Sequence, residues 1–410
     1  MSVYPRFGVP TVINAAGTLT RLSGGHLHPE VLAAMRDAAG ECVDMLALQA
    51  GASRVIARVT GAQAGIVTSG ASAALLLGAA ACLAGLDSAR MNRLPEVADG
   101  RNEFIVVRSQ RNMYDRALTV AGGCIVEVGI ADRYSGPGVR DAAPWEIEAA
   151  ITPHTAAICY LAQPQSRPSL AEVTAIAHAH AIPVLVDAAA QLPPGENLRR
   201  FLAEGADLVA FSGGKAIGGP QASGVLAGRG DLVASALMQM LDLDLFPDTW
   251  NPPEEFSRLR QLRGLPQHGI GRSCKVGKQE VVGLLVALER FVAGDDAARR
   301  AAWRGILEAI VAAADGTSLR LAILDRPMPL LEVRAPDAMA LAARLAAHDP
   351  PVLCSLGRRE ENVLVVSPAA LTREQAAIIG AALRGASPPL PPFAGLGREA
   401  DQGAEPLRRG

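Results

Sequence analysis

Between residues 64 and 228 the chain repeats one pattern: a short run of almost unbroken apolar residues, followed by a stretch with helical spacing. The runs fall at 64–69, 104–107, 124–128, 156–161, 182–186, 208–211 and 224–227. The helical stretches fall at 29–40, 54–60, 71–84, 114–121, 144–151, 169–180 and 197–204. A strand that is apolar on both faces has to be covered on both faces, which leaves a mostly parallel sheet between two helical layers. The pattern therefore predicts an α/β fold, a three-layer α/β/α large domain. Ligands of such sheets bind beyond the carboxyl ends of the strands. Ser69, residues 108–114, Asp187 and the stretch from Ser212 to Lys215 all fall at such ends.

Lys215 is the first candidate for chemistry. The chain holds three lysines, Lys215, Lys275 and Lys278, among 39 lysines and arginines, so arginine supplies nearly all its positive charge. An amine can lose its proton when desolvated and attack a carbonyl to form a Schiff base, and a guanidinium cannot. Gly213, Gly214, Gly218 and Gly219 surround it and let the backbone turn toward a flat ligand. A phosphate-binding P-loop is excluded, because Val209 and Ala216 stand where that motif needs glycine and Ser or Thr. A surface lysine in a glycine loop is the plain alternative.

Asp187 ends the run Pro183-Val-Leu-Val-Asp187, and a carboxylate there needs a partner: a protonated ring nitrogen, or simply the next turn. Ser69-Gly70-Ala71 joins a strand to a helix, where free N–H groups at the positive end of the dipole suit an anion. A plain N-cap is the competing reading.

Length 410 allows a large domain with a smaller companion. We expect an arm at 1–28, a large domain at 29–285, a small α+β domain at 286–386 and a disordered tail at 387–410, where Pro, Gly and charge accumulate. Segment 241–268 is irregular, as a lid or subunit-contact segment would be. A net charge of −2 without a basic cluster argues against nucleic acid and against a membrane surface. The six cysteines, with no paired spacing, read as reduced and buried. No signal peptide is visible, so a cytoplasmic protein is expected. His26 and His28 lack further ligands, and His178 and His180 point to different helix faces, so no metal is expected.

The order of strand–phosphate loop, strand-end Asp and strand-Ser-Gly-Gly-Lys resembles the fold-type-I pyridoxal-phosphate enzymes. More narrowly, Phe211-Ser-Gly-Gly-Lys-Ala-Ile-Gly-Gly-Pro-Gln-Ala-Ser-Gly224, Val12-Ile-Asn-Ala-Ala-Gly17 and Lys275-Val-Gly-Lys278 resemble the bacterial selenocysteine synthase-like group, nearest its D-glucosaminate-6-phosphate ammonia-lyase branch. The likeness runs over about residues 10–385. It implies that Lys215 holds pyridoxal 5'-phosphate as a Schiff base and moves the α-proton, with Asp187 on the ring nitrogen. It also implies that Ser69, Gly70, Ala71 and Ser212 bind the phosphate, and that Arg111 to Tyr114, with Asn112, lie over the ring or near the substrate. Asn14, Thr18, Gln49, Arg272 and Lys278 become candidates for substrate or neighbouring-subunit contacts.

The implied activity is a lyase on a hydroxylated amino acid, giving a 2-oxo acid and ammonia. A racemase or epimerase, or a cofactor-binding protein without turnover, remain alternatives. Sites of this fold are usually built from two chains, so a homodimer or larger assembly is implied. Selenocysteine synthase carries a tRNA domain ahead of the Ile-Asn-Ala motif. Here that motif begins at Ile13, and we expect no tRNA-linked chemistry. Ser367-Pro-Ala-Ala stands where the family is expected to offer an arginine, leaving Arg358 or Arg272 as substitutes for the substrate's acidic group.

Overall fold

The computed structural model describes residues 2–130 and 142–386, so the tail expected at 387–410 lies outside the described residues. Twelve strands are described: β1 (Ile13–Ala15), β2 (Ala64–Thr68), β3 (Glu103–Val107), β4 (Cys124–Val128), β5 (Thr155–Leu161), β6 (Val184–Asp187), β7 (Leu208–Ser212), β8 (Gly224–Gly228), β9 (Arg320–Leu324), β10 (Leu330–Arg334), β11 (Val352–Arg358) and β12 (Val363–Val366). They form two sheets. The larger runs β2-β8-β7-β6-β5-β3-β4, parallel except for β8, which is antiparallel to both β2 and β7. Every residue of β2, β6 and β8 is buried, as continuous apolar runs require.

The helix Ala71–Ala84 is apolar on all sides and lies over the middle of this sheet. Its small residues set the spacing: a Cβ on Gly78 would come 2.9 Å from Leu185 Cδ1. At the sheet edge β4 is largely uncovered, and there the cysteine expectation fails. Cys124 and Cys42 are exposed and Cys82 and Cys274 half-buried, which leaves Cys159 and Cys354 as core thiols; all six are free. Cys42 lies in the loop between the helices Pro29–Gly40 and Met45–Thr60.

The smaller sheet runs β1-β11-β12-β10-β9. Two helices, Asp296–Ala313 and Arg373–Gly385, pack together beside it, and Leu307, Ile310, Leu331, Val333, Leu341 and Ile379 are buried in a second core. Two expectations change here. Residues 13–15, within the expected arm at 1–28, belong to the small sheet: β1 pairs in parallel with β11, Ile13 opposite Val352, and buries Ile13 and Ala15 in the small core. The helix Lys278–Ala293 crosses the expected boundary at 286 and places Leu284, Leu288 and Phe291 in the large core. No described helix is long and apolar enough to cross a membrane.

Candidate active site

The ends of β2, β6 and β7 open into one cavity of about 290 Å3. Lys215, Asp187, Ser212, Ser69, Gly70 and Ala71 all line it. The lysine loop is closed by its own backbone: Gly213 N donates to Ser223 O at 2.9 Å, Gly219 N to Gly213 O at 2.9 Å and Gly218 N to Lys215 O at 3.0 Å. The half-buried amine is thus held on a fixed turn. Burial pushes the Lys215 pKa below the usual lysine range, and the nearby charge of Asp187 opposes that shift.

Asp187 is 8% exposed and accepts one backbone hydrogen bond, from Ala189 N at 3.0 Å. Burial raises its pKa above the usual carboxylate value, against the pull of the Ala189 N–H and Lys215, while Asp115 adds to the rise. No cation among the described residues forms an ion pair with Asp187, and it faces the cavity that holds the lysine. Opposite lies the start of the helix Ala71–Ala84, where Gly70 is the N-cap and no side chain caps the first turn. The N–H groups there stay open to an anion. Gly70 sits at φ +144, and β8 passes so close that a Cβ on Gly224 would be 2.5 Å from Gly70 C.

Three more residues named from the sequence reach this region. Thr18 and Tyr114 line the cavity. Asn112 lines a smaller crevice next to it, shared with Tyr114 and Asp187, and its Oδ1 accepts from Tyr114 N at 2.8 Å. Other candidates sit elsewhere. Gln49 is fully buried, with Nε2 donating to Val67 O at 2.8 Å and Oε1 accepting from Val67 N at 2.9 Å, so its amide fastens a helix to β2. Asn14 donates to Gly17 O and Gly24 O, both at 2.8 Å, and accepts from Ala16 N at 3.1 Å, which folds the arm rather than facing the cavity.

The basic candidates are also engaged away from the cavity. Arg272 pairs with Asp242 at 2.8 Å, Lys278 donates to Glu41 O, and Arg358 pairs with Glu332 and Glu361. Ser69 lines the cavity, yet its hydroxyl donates to Cys274 O at 2.9 Å, leaving its proton unavailable to an anion. Ser367 is joined to the arm, its N–H donating to Ala15 O at 2.9 Å.

Three polar residues without a role in the sequence reading also line the cavity, Thr20, Ser72 and Gln221. Gln221 stands inside the glycine-rich lysine segment itself, and Thr20 lies two residues beyond Thr18. Polar side chains amid backbone-turning glycines were the available signal. The exposed trio Asp242, Asp244 and His268 can bring its ligand atoms within 4.8 Å of one another. Arg272 already occupies Asp242.

A mostly parallel sheet with an acid ending β6 and a lysine on the β7–β8 loop is the architecture of the fold-type-I pyridoxal-phosphate enzymes. Residues 12–245 match the L-seryl-tRNA selenium transferase family, and the chain belongs to it. The chain is 33% identical over 357 residues to a Streptomyces 5'-C-glycyluridine monooxygenase-decarboxylase, across 84% of this chain and 79% of that one. It is 32% identical over 319 residues to D-glucosaminate-6-phosphate ammonia lyase of Salmonella typhimurium, across 76% of each. A solved D-glucosaminate-6-phosphate ammonia-lyase superposes with a TM-score of 0.76 at 27% identity, over 94% of this chain and 98% of that one.

Proposed function

We propose that the chain is a pyridoxal-phosphate-dependent ammonia-lyase acting on a hydroxylated, sugar-derived amino acid. The observation that carries the reading is Asp187, a buried carboxylate with no ion-pair partner among the described residues, facing the same cavity as the half-buried Lys215. The donor set suits the cofactor: an amine for its aldehyde, a carboxylate for its ring nitrogen, and an uncapped helix start for its phosphate. Lys215 would bind it covalently and Asp187 would pair with the ring. The N–H groups of Ala71 and Ser72, with the Ser212 hydroxyl, would take the phosphate. Bound there, pyridoxal phosphate supplies an electron sink for a carbanion at the substrate's α-carbon.

The chain's own part is proton handling and orientation. Lys215, once released by the substrate's amino group, is a positioned base for the α-proton, and its lowered pKa favours the neutral form that this task needs. Burial makes the Asp187 charge costly, and a protonated ring nitrogen beside it would offset that cost. Loss of the β-hydroxyl as water, followed by hydrolysis of the released enamine, yields the 2-oxo acid and ammonium. Water leaves in the first step and returns in the second.

Lys215 is the one cation among the described residues lining the cavity. The substrate carboxylate and any substrate phosphate therefore need positive charge from outside it. This supports a homodimer or larger assembly in which a second chain supplies that charge. We further propose a cytoplasmic protein with a small-molecule substrate and no nucleic-acid or membrane partner.

The test is incubation with D-glucosaminate 6-phosphate and measurement of ammonia and 2-oxo acid. Stoichiometric release of both is the expected result. Exchange of the α-proton with solvent deuterium, without ammonia, points to the racemase or epimerase. No exchange at all points to a binding protein without turnover. The Streptomyces relative's name favours one second reading, an oxygen-dependent decarboxylase, and uptake of oxygen with release of carbon dioxide would select it.

A further inference from the structure

Among the described residues three acids are buried, Asp115, Asp187 and Asp207. Asp187 faces the Lys215 cavity, and Asp207 ties together His178, Arg229 and the Val184 N–H. Asp115 serves neither purpose. Its carboxylate accepts from Arg111 Nε and, at 3.0 Å, from Asn112 N. Arg111 is held in turn by Glu127 of β4, which also pairs with Arg108 at 2.7 Å. Arg111, expected near the ring or the substrate, is therefore part of a clamp. Burying a carboxylate is costly even when it is paired, and here four charged side chains are engaged in fixing one short turn.

That turn is Met113–Asp115, with Asn112 as its N-cap. Asn112 Oδ1 accepts from Tyr114 N at 2.8 Å, and the Asp115 carboxylate closes the ring of bonds at Asn112 N. Of residues 112 to 115, Tyr114 alone lines the Lys215 cavity, beside Asp187. Its hydroxyl has no hydrogen bond among the described residues, so the backbone of the turn decides where its side chain stands. A cap of this kind works equally well in solvent. Asp115 is instead buried in the crevice that it shares with Asp187 and Tyr114.

We propose that Asp115 is a positioning residue, which holds Tyr114 in the wall that pyridoxal phosphate meets when bound at Lys215. The assignment rests on the proposed reading of the cavity as the cofactor site. One rival is a direct effect of the Asp115 charge on Asp187 and the ring, since the two carboxylates share the crevice and Asp115 helps to raise the Asp187 pKa. Such an effect does not need Tyr114. The other rival is a plain cap, which would alter stability alone.

The experiment titrates the cofactor-free full chain with pyridoxal phosphate, follows the visible absorbance of the bound cofactor to obtain a dissociation constant, and records melting beside it. Tyr114→Ala weakens binding about tenfold, the size of one aromatic contact. Asp115→Ala weakens it by a similar factor, and Asp115→Asn, which keeps an acceptor for the Asn112 N–H, by about threefold. The double variant, Asp115→Ala with Tyr114→Ala, binds no worse than Tyr114→Ala alone, because two residues acting through one contact do not add. If Asp115→Ala fails to fold, Asp115→Asn alone and with Tyr114→Ala gives the same comparison. Effects that multiply in the double variant overturn the assignment in favour of the direct charge. Full affinity in Tyr114→Ala, or a lower melting temperature with full affinity in the Asp115 variants, overturns it as well. A wild type that takes up no pyridoxal phosphate overturns the functional reading and the assignment with it.

Discussion

Asp187 and Lys215 lean in opposite directions for one reason: each is a charge brought out of water without a close partner. Without cofactor, the raised Asp187 pKa means that the folded protein binds a proton that the unfolded chain has released. Stability then falls as pH rises from the ordinary carboxylate value, 3.8, through the raised one. Asp187→Asn keeps an oxygen for the Ala189 N–H and removes the charge. The cofactor-free variant is therefore expected to melt higher than wild type at pH 7, with the gap closing toward pH 4; calorimetry across that range checks this. Lys215 carries the complementary sign. Its lowered pKa costs stability at neutral pH, and that cost disappears as pH rises toward 10.5. Under the proposed function the ring nitrogen would be the partner of Asp187 in the loaded enzyme, and the same Asp187→Asn change would lower turnover roughly 10- to 100-fold, the equivalent of one to two pKa units of lost stabilisation. Both residues are legible in the sequence, because a lone lysine and a strand-end acid mark themselves by type and place. Gln221 is not legible in the same way, since only the folded arm and lysine loop bring it to the cavity wall.

Among the elements, the contact between β8 and the start of the helix Ala71–Ala84 is the most exacting. Gly224→Ala places a Cβ about where the Gly70 backbone stands. It is expected to cost about 1–3 kcal/mol by thermal melting and to weaken cofactor binding, because the open N–H groups shift with Gly70. Gln49 gives a contrasting test. Gln49→Leu strands the N–H and C=O of Val67 and costs about 2–4 kcal/mol, while the substrate KM stays close to wild type; a large KM effect with normal stability would return Gln49 to the substrate. The strands of the large sheet can be read from the sequence because they are apolar on both faces. β9 and β11 are half-exposed, with buried and open residues mixed, and give no such signal. A polar residue on a buried helix face, such as Gln49, is equally compatible with a site and with a distant backbone partner.

At the scale of the whole molecule the arm is the joint. β1 belongs to the small sheet, Asn14 folds the chain that follows it, and Thr18 and Thr20 then line the cavity of the large domain. A sequence cannot show that Ile13 sits beside Val352, since a parallel pair so far apart in the chain leaves no local pattern, and this is why residues 13–15 read as part of an arm. The proposed anionic substrate would need more positive charge than Lys215, the one cation among the described lining residues, provides. Sedimentation of the active enzyme is expected to give a dimer or larger, and full activity in a strictly monomeric species would remove the case for a shared site.

With only three lysines in the chain, the proposed attachment of pyridoxal phosphate to Lys215 can be tested directly. The cofactor-loaded protein is reduced with borohydride, digested, and its lysine peptides weighed. The expected result is one pyridoxyl group on the peptide bearing Lys215, none on those bearing Lys275 or Lys278, and none anywhere in a Lys215→Ala variant. A pyridoxyl group on Lys275 or Lys278 instead, or no adduct after incubation with excess pyridoxal phosphate, would contradict it.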